Sequence, residues 1–412
     1  MLTVKEYEAR ENEAVATLPN RIVEMVNPFV FASEGYPTRV RNDLELWKYF
    51  DVMHETRFER DLATVFGGGM TEQEFAQLQR VAQLSCEFSD ECFKRNLATR
   101  GSLLRALNVY LHISDIFNGS PARVFEIGPG SGYLGCLFIL NGWSYGGSDI
   151  TQAFYLLQNR LWNYASRGGL KDLADDPDWD GKFLPGHPVH IPWWEFFRLL
   201  DRGIPCVDVV TCNHALAEMH PNSLAFTLRI AHEMLRGEGV KAFVFEGWGF
   251  EKFVPRSTIT KLFYRSGYCL IHNDSKITVF APRDSACASP SALWPRIAHR
   301  RKPASGKKPG GVVQERRTWA LLGTYSDLKA TAGSLVFLSG VKQLMRSLSY
   351  WPARVSLRRN TISLRILKRR EQRRKERLIG LDEVNRFYAE LLHTPDVRTA
   401  DERFLGFIDR SV

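Results

Sequence analysis

The chain has 412 residues, 44% of them hydrophobic and 25% charged, the proportions of a soluble globular protein with room for a large core and a second module. No early apolar run is long enough to cross a membrane, and residues 1–20 are charged throughout, so no signal peptide is expected. The net charge of +9 is unevenly placed: residues 1–282 hold 28 Lys and Arg against 34 Asp and Glu (net −6), and residues 283–412 hold 27 against 12 (net +15), so the overall basicity says nothing about a site in the first part.

Residues 1–120 read as mainly helical. Leu44–Phe50 mixes apolar and polar residues at helical spacing, and Thr71–Phe93 does so over a longer span, opened by a capping-box pattern at Thr71-Glu-Gln-Glu74. Gly67-Gly-Gly69 breaks the helices, and another is predicted over Ser102–Ile116. His54, Arg57 and Arg60 would reach a polar substrate if this region covers a pocket; a solvated helix face is the simpler reading. The seven cysteines (86, 92, 136, 206, 212, 269 and 287) form no C-x-x-C pair, and four lie in apolar runs as small core residues would. A reducing cytoplasm is the expected compartment.

The next stretch organises the rest. Val124–Ile127 reads as a buried parallel strand, broken by Gly128, Gly130 and Gly132 and followed by a helical apolar run, Leu134–Leu140. Strand, glycine turn and helix together aim free backbone N–H groups at a bound cofactor, and glycine permits close approach and positive φ. Gly130, Gly132 and Gly135 satisfy the G-x-G-x-x-G pattern of an NAD(P) or flavin site, with Asp149 placed 19 residues past Gly130. Glu126 points elsewhere. A carboxylate is unhelpful beside a pyrophosphate but suits a cofactor carrying an ammonium and a sulfonium. The frame Glu126-x-Gly128-x-Gly130-x-Gly132 resembles the first motif of class I S-adenosylmethionine-dependent methyltransferases.

Trp143–Ile150 follows as a second strand ending at Asp149, where an acid can accept both ribose hydroxyls or simply cap a turn. Ala153–Ala165 reads as a packed helix and Arg167–Pro188, rich in Gly, Asp and Pro, as a surface loop. Val189–Trp194 is a third strand and its exit, with Trp193 or Trp194 as an apolar slab for an adenine. His187 and His190 lack metal-like spacing. Val207–Cys212 is the fourth strand, and its exit carries Asn213, His214, Glu218 and His220 at the carboxyl end, where open α/β sheets bind ligands. Asn213 suits the cofactor; His214, Glu218 and His220 suit an acceptor. His214 and Glu218, four apart, would share a helical face as a zinc pair does, but a third ligand is missing and no metal is expected. The alternative is that Glu218 caps the next helix and His220 lies on the surface. Leu224–Leu235 is predicted helical and Val240–Glu246 a fifth strand, with Gly247-Trp-Gly249 as a second place for close backbone approach. A helix over Ile259–Tyr264 precedes a hairpin, Tyr268–Phe280, turning at Asn273-Asp-Ser275.

Beyond it, Pro282–Gly311 has linker composition, with six Lys or Arg between Arg296 and Lys308. Lys368–Arg377 is a basic helix suited to anionic lipid or nucleic-acid phosphates, or a plain solvated one; no zinc-finger or RNA-recognition signature accompanies it.

The span 123–280 resembles a class I methyltransferase domain, and the closing hairpin is typical of that superfamily. Within it, Glu126-Ile-Gly-Pro-Gly-Ser-Gly132 and Thr211-Cys-Asn-His-Ala-Leu-Ala-Glu-Met-His220 resemble bacterial sugar O-methyltransferases associated with polysaccharide biosynthesis. The resemblance implies a Rossmann-like α/β fold, a mainly parallel doubly wound sheet with an antiparallel C-terminal hairpin. It divides the chain into a helical substrate-side region (1–120), the S-adenosylmethionine-binding domain (121–282), a basic linker (283–315) and a basic, partly helical extension (316–412) outside the family pattern. Glu126 would then hold the methionine amino end and Asp149 the ribose, beside Gly128, Gly130, Gly132, Trp193 and Asn213. A base among His214, Glu218 and His220 would serve a sugar or glycan hydroxyl. An anionic membrane surface or a polysaccharide-assembly partner would engage the tail, placing the protein in the cytoplasm or at the inner membrane; nucleic acid is less favoured. Two other readings stand: an NAD(P) or flavin oxidoreductase, and a methyltransferase-like protein without turnover that binds through its tail. The oligomeric state is left open.

Overall fold

A computed structural model describes residues 1–26, 38–50, 66, 69–249, 254–274, 276–285, 361–373, 376 and 378–392. His54, Arg57, Arg60 and most of the 283–315 linker lie outside the described residues. The chain divides into two compact units, Met1–Ser289 with Thr361–Val412, and Pro290–Asn360; every described residue belongs to the first.

Its centre is an eight-stranded sheet of order β3-β4-β2-β1-β5-β6-β8-β7. The strands are β1 (Arg123–Ile127), β2 (Ser144–Asp149), β3 (Lys171–Asp172), β4 (Val189–Pro192), β5 (Val209–Thr211), β6 (Ala242–Phe245), β7 (Tyr268–Asn273) and β8 (Thr278–Pro282). All pairings are parallel except those of β8, which inserts antiparallel between β6 and β7. From β1 the chain winds out through β2 and β4, then returns to pair β5 on the other edge of β1. That reversal opens a crevice at the carboxyl ends of β1 and β5. This is the class I methyltransferase fold.

Sequence and packing agree at β2, whose Ser-Tyr-Gly-Gly-Ser-Asp is an unlikely central strand by propensity. A Cβ on Gly146 would lie 2.2 Å from the Phe183 ring, and one on Gly147 2.8 Å from the Trp162 ring. The glycines make room for aromatic rings that seal the strand on its neighbours. Phe183 belongs to the stretch expected to be surface loop. There Lys171–Asp172 instead adds a short strand beside β4, and half-buried Asp172 accepts from Tyr155 Oη at 2.6 Å.

Described helices flank the sheet: α1 (Val4–Thr17), α2 (Asn20–Val26), α3 (Glu72–Phe93), α4 (Arg100–Ile116), α5 (Tyr133–Leu140), α6 (Gln152–Ala165), α7 (Trp193–Arg202), α8 (Pro221–Met234) and α9 (Arg256–Arg265). A 3-10 helix covers Asp43–Phe50. The predicted capping box opens α3: Thr71 Oγ1 accepts from Glu74 N–H, and Thr71 N–H donates to Glu74 Oε2 at 3.0 Å. α7 was not anticipated; Pro192 ends β4 and serves as the helix N-cap.

Two further helices, α10 (Thr361–Arg373) and α11 (Leu381–Leu392), pack back on the body. The basic run is partly consumed there. Arg365 donates to the Ile116 carbonyl, Arg370 to Asp274 Oδ2 (2.5 Å) and His112 Nε2 (2.8 Å), and Arg373 to Glu74 Oε2 (2.7 Å). Ile362 and Ile366 are buried, and Ile379 bridges Met70 in a single antiparallel pairing. No described helix is long and apolar enough to cross a membrane.

Candidate cofactor and acceptor site

A cavity of ≈ 220 Å³ occupies the crevice, lined by residues from the ends of β1, β2, β5 and β6 and from α4, α6 and α7. Of the residues named from the sequence, Glu126, Gly128, Gly130, Asp149, Trp193, Asn213, His214, Glu218 and His220 line it directly, and Gly132 N-caps α5 beside it.

Glu126 projects from β1, buried. Its Oε2 accepts from Tyr145 Oη at 2.7 Å and its Oε1 from Asn213 Nδ2 at 3.3 Å. Both partners are neutral, and burial pushes the carboxyl pKa up to about 7. Asn213 is itself fixed, donating to Thr211 Oγ1 and accepting from the Glu246 N–H. Gly128, Gly130 and Gly132 have φ of +66°, +57° and +78°, so the turn needs glycine. A Cβ on Gly130 would meet nothing within 4 Å, whereas one on Gly135 would strike the Trp162 indole at 2.5 Å. The third glycine of the dinucleotide pattern therefore serves packing.

Asp149, at the end of β2, accepts from Thr151 N–H (2.8 Å) and Gln158 Nε2 (2.9 Å), and burial raises its pKa to about 6. Gln158 also donates to the Gly130 carbonyl at 2.7 Å, tying the glycine turn to the acid, while its own Oε1 is buried without a hydrogen bond. Of the two candidate tryptophans, Trp193 lines the cavity, with its indole N–H on Glu11 Oε1 at 2.8 Å. Trp194 packs on Tyr7 instead, ring centroids 5.1 Å apart.

The β5 exit departs from expectation. Residues 212–220 form an irregular loop, so His214 and Glu218 do not share a helical face. His214 has φ +57°, a strained conformation for a non-glycine residue, and its ring lies over Gly247, where a Cβ would approach within 2.1 Å. His220, not Glu218, caps the following helix: its Nδ1 accepts from Asn222 N–H at 3.2 Å. Among the described residues no group of three or more His, Cys, Asp or Glu could hold a metal.

Two lining residues were missed. Arg105, from α4, donates to His214 Nε2 at 2.6 Å. Glu246, just past β6, has its Oε2 buried without a hydrogen bond, 3.8 Å from His214 Nε2. Nothing local in the sequence marks either; only strand order brings them to His214.

No family model and no curated protein matches the chain. Among solved structures it is similar to magnesium protoporphyrin IX methyltransferase from Synechocystis PCC 6803, at 11% identity over 54% of this chain and 96% of that one, TM-score 0.28. It is also similar to the O-methyltransferase TomG from Streptomyces achromogenes (14%, covering 56% and 99%, TM-score 0.31) and to the N-methyltransferase NodS from Bradyrhizobium japonicum WM9 (10%, 44% and 88%, TM-score 0.30). Likeness at this level says nothing of what this chain binds.

Proposed function

We propose that the chain is an S-adenosylmethionine-dependent methyltransferase acting on a hydroxyl of a small acceptor, a sugar or glycan precursor. The observation that carries the cofactor is Glu126. A buried carboxylate held only by neutral groups beside a glycine turn is stabilised by a cation and would oppose a pyrophosphate. The residues present fit the cofactor. Glu126 and Asn213 receive an ammonium, Asp149 and Gln158 offer oxygen acceptors to ribose hydroxyls, and Trp193 with Phe154 supplies apolar surface. The sugar acceptor rests only on the resemblance of the 126–132 and 211–220 segments taken together.

The cofactor supplies an activated methyl group, so the chain's own residues mainly align, exclude water and move one proton. Phe196, Phe197 and Met219 help wall the cavity against solvent. A hydroxyl is a weak nucleophile at neutral pH, and a positioned base contributes about 10²–10⁴-fold. Of the three candidates, His220 commits Nδ1 to its helix cap, and His214 is the one locked by backbone and glycine contacts at the strand exit.

Calorimetric titration with S-adenosylhomocysteine, NAD⁺ and NADP⁺ tests the reading. Wild type should bind the first alone, and Glu126→Gln should weaken it at least about tenfold, the loss of one charge-assisted contact. Nicotinamide binding, or full affinity in Glu126→Gln, would overturn the assignment.

A further inference from the structure

A guanidinium can only donate, so His214 Nε2 accepts from Arg105 across their 2.6 Å contact, and the imidazole carries its proton on Nδ1. In that state Nε2 cannot take a proton from an acceptor. Beside it, Glu246 Oε2 is buried with no hydrogen bond at all, 3.8 Å from the same nitrogen. A buried carboxylate oxygen without a donor is destabilising, and such strain persists where another state of the site relieves it.

We infer that Arg105 and Glu246 are opposed positioning residues for His214: Arg105 holds Nε2 blocked at rest, and Glu246 receives the imidazolium once the acceptor has drawn Arg105 away. The inference deepens the methyltransferase reading and rests on it for its chemistry. The acceptor O–H bond breaks and its proton passes to His214 Nε2. An O–CH₃ bond forms as the S–CH₃ bond breaks, its electron pair staying on sulfur. The new Nε2–H then faces Glu246 Oε2, within ion-pair reach.

The local geometry leaves few other arrangements. His214 is fixed by its left-handed backbone and by Gly247 and Gly249, where added Cβ atoms would meet its ring at 2.1 Å and its carbonyl at 2.3 Å. Its N–H donates to the Glu246 carbonyl at 3.2 Å, so ring and carboxylate are anchored to one another through the backbone. Arg105 arrives from a separate element, α4. Among the described residues lining the cavity, Glu218 and His220 are further titratable groups from the same β5 exit.

The test needs no acceptor. The full chain, labelled with ¹⁵N at histidine, is examined by NMR with and without S-adenosylhomocysteine; ring-nitrogen shifts report which atom carries a proton. Wild-type His214 should be neutral with its proton on Nδ1. In Arg105→Gln a proton should appear on Nε2, where wild type has none, and in Arg105→Gln/Glu246→Gln it should be absent again. An unchanged His214 signal in Arg105→Gln, or an Nε2 proton that survives in the double variant, would overturn the inference. Equal S-adenosylhomocysteine affinity in all forms establishes that each variant is folded. If no form binds it, the cofactor reading fails, while the His214 signals still decide whether Arg105 and Glu246 oppose one another.

Discussion

Glu126 carries two consequences of its burial. Its pKa near 7 and that of Asp149 near 6, both raised by burial, mean that the cradle is partly protonated at neutral pH. A cationic ligand requires Glu126 as carboxylate, so affinity for S-adenosylhomocysteine should fall about tenfold per unit below pH 7, a slope read by calorimetry at pH 5.5 to 8. Stability runs the other way. Because the folded pKa lies above the ordinary 4.5, the native state binds more protons between the two values, and the free protein loses stability as pH rises through that window. The loss is complete above about pH 7 and amounts to about 3 kcal/mol. Glu126→Gln removes it. The variant's melting temperature should match wild type near pH 5 and exceed it at pH 8, although it binds cofactor worse. A variant no more stable at pH 8 would mean that Glu126 is not charged and buried together.

At the scale of elements, the glycines after β6 matter as much as those after β1. Gly247→Ala would press a methyl against the His214 ring and force φ +66° on a residue with a Cβ. We expect a cost of about 2–3 kcal/mol, and turnover lost with S-adenosylhomocysteine affinity kept within a few-fold, since the β1 turn is untouched. Thermal melts and calorimetry on the variant check both. Elements were legible in the sequence where a local signal suffices: apolar runs placed β1, β5, β6 and the hairpin, and the Thr71 box placed the start of α3. The glycine turn, Glu126 and Asp149 were legible for the same reason, since strand, turn and acid lie within 25 residues of one another. The 212–220 loop was misread because its i, i+4 spacing looks helical, while the left-handed His214 is enforced by Gly247 and Gly249, more than 30 residues on. Arg105 and Glu246 were invisible because their meaning comes only from long-range packing: α4 brings Arg105 to His214, and the pairing of β6 with β5 brings Glu246.

For the molecule as a whole, α10 joins α4 to the hairpin. Arg370 links His112 on α4 to Asp274 at the β7–β8 turn, and burial, then the Arg370 charge, push the His112 pKa down to about 3. Since the ordinary value is 6.5, the unfolded chain binds the extra proton, so this group's share of stability is present above pH 6.5 and is lost as pH falls toward 3. Arg370→Ala leaves Asp274 with less compensation, at a cost of about 1–3 kcal/mol for a pair still partly exposed. The deficit should shrink from pH 7.5 to pH 5, where His112 can protonate beside Asp274. Urea melts at the two values measure it; a deficit independent of pH would mean that His112 and Arg370 are not coupled.

Arg373 reaches Glu74 across 299 positions of sequence. A ribosome adding about 5–20 residues per second needs roughly 15–60 s to cover that distance. For that time α3 has been synthesised, but the arginine that closes over its capping box has not. The glycine turn and the strands around it are finished earlier, when β8 emerges. Synthesis therefore has an order built into it: the crevice that holds Glu126 and Asp149 is complete before α10 exists to close over α3 and α4.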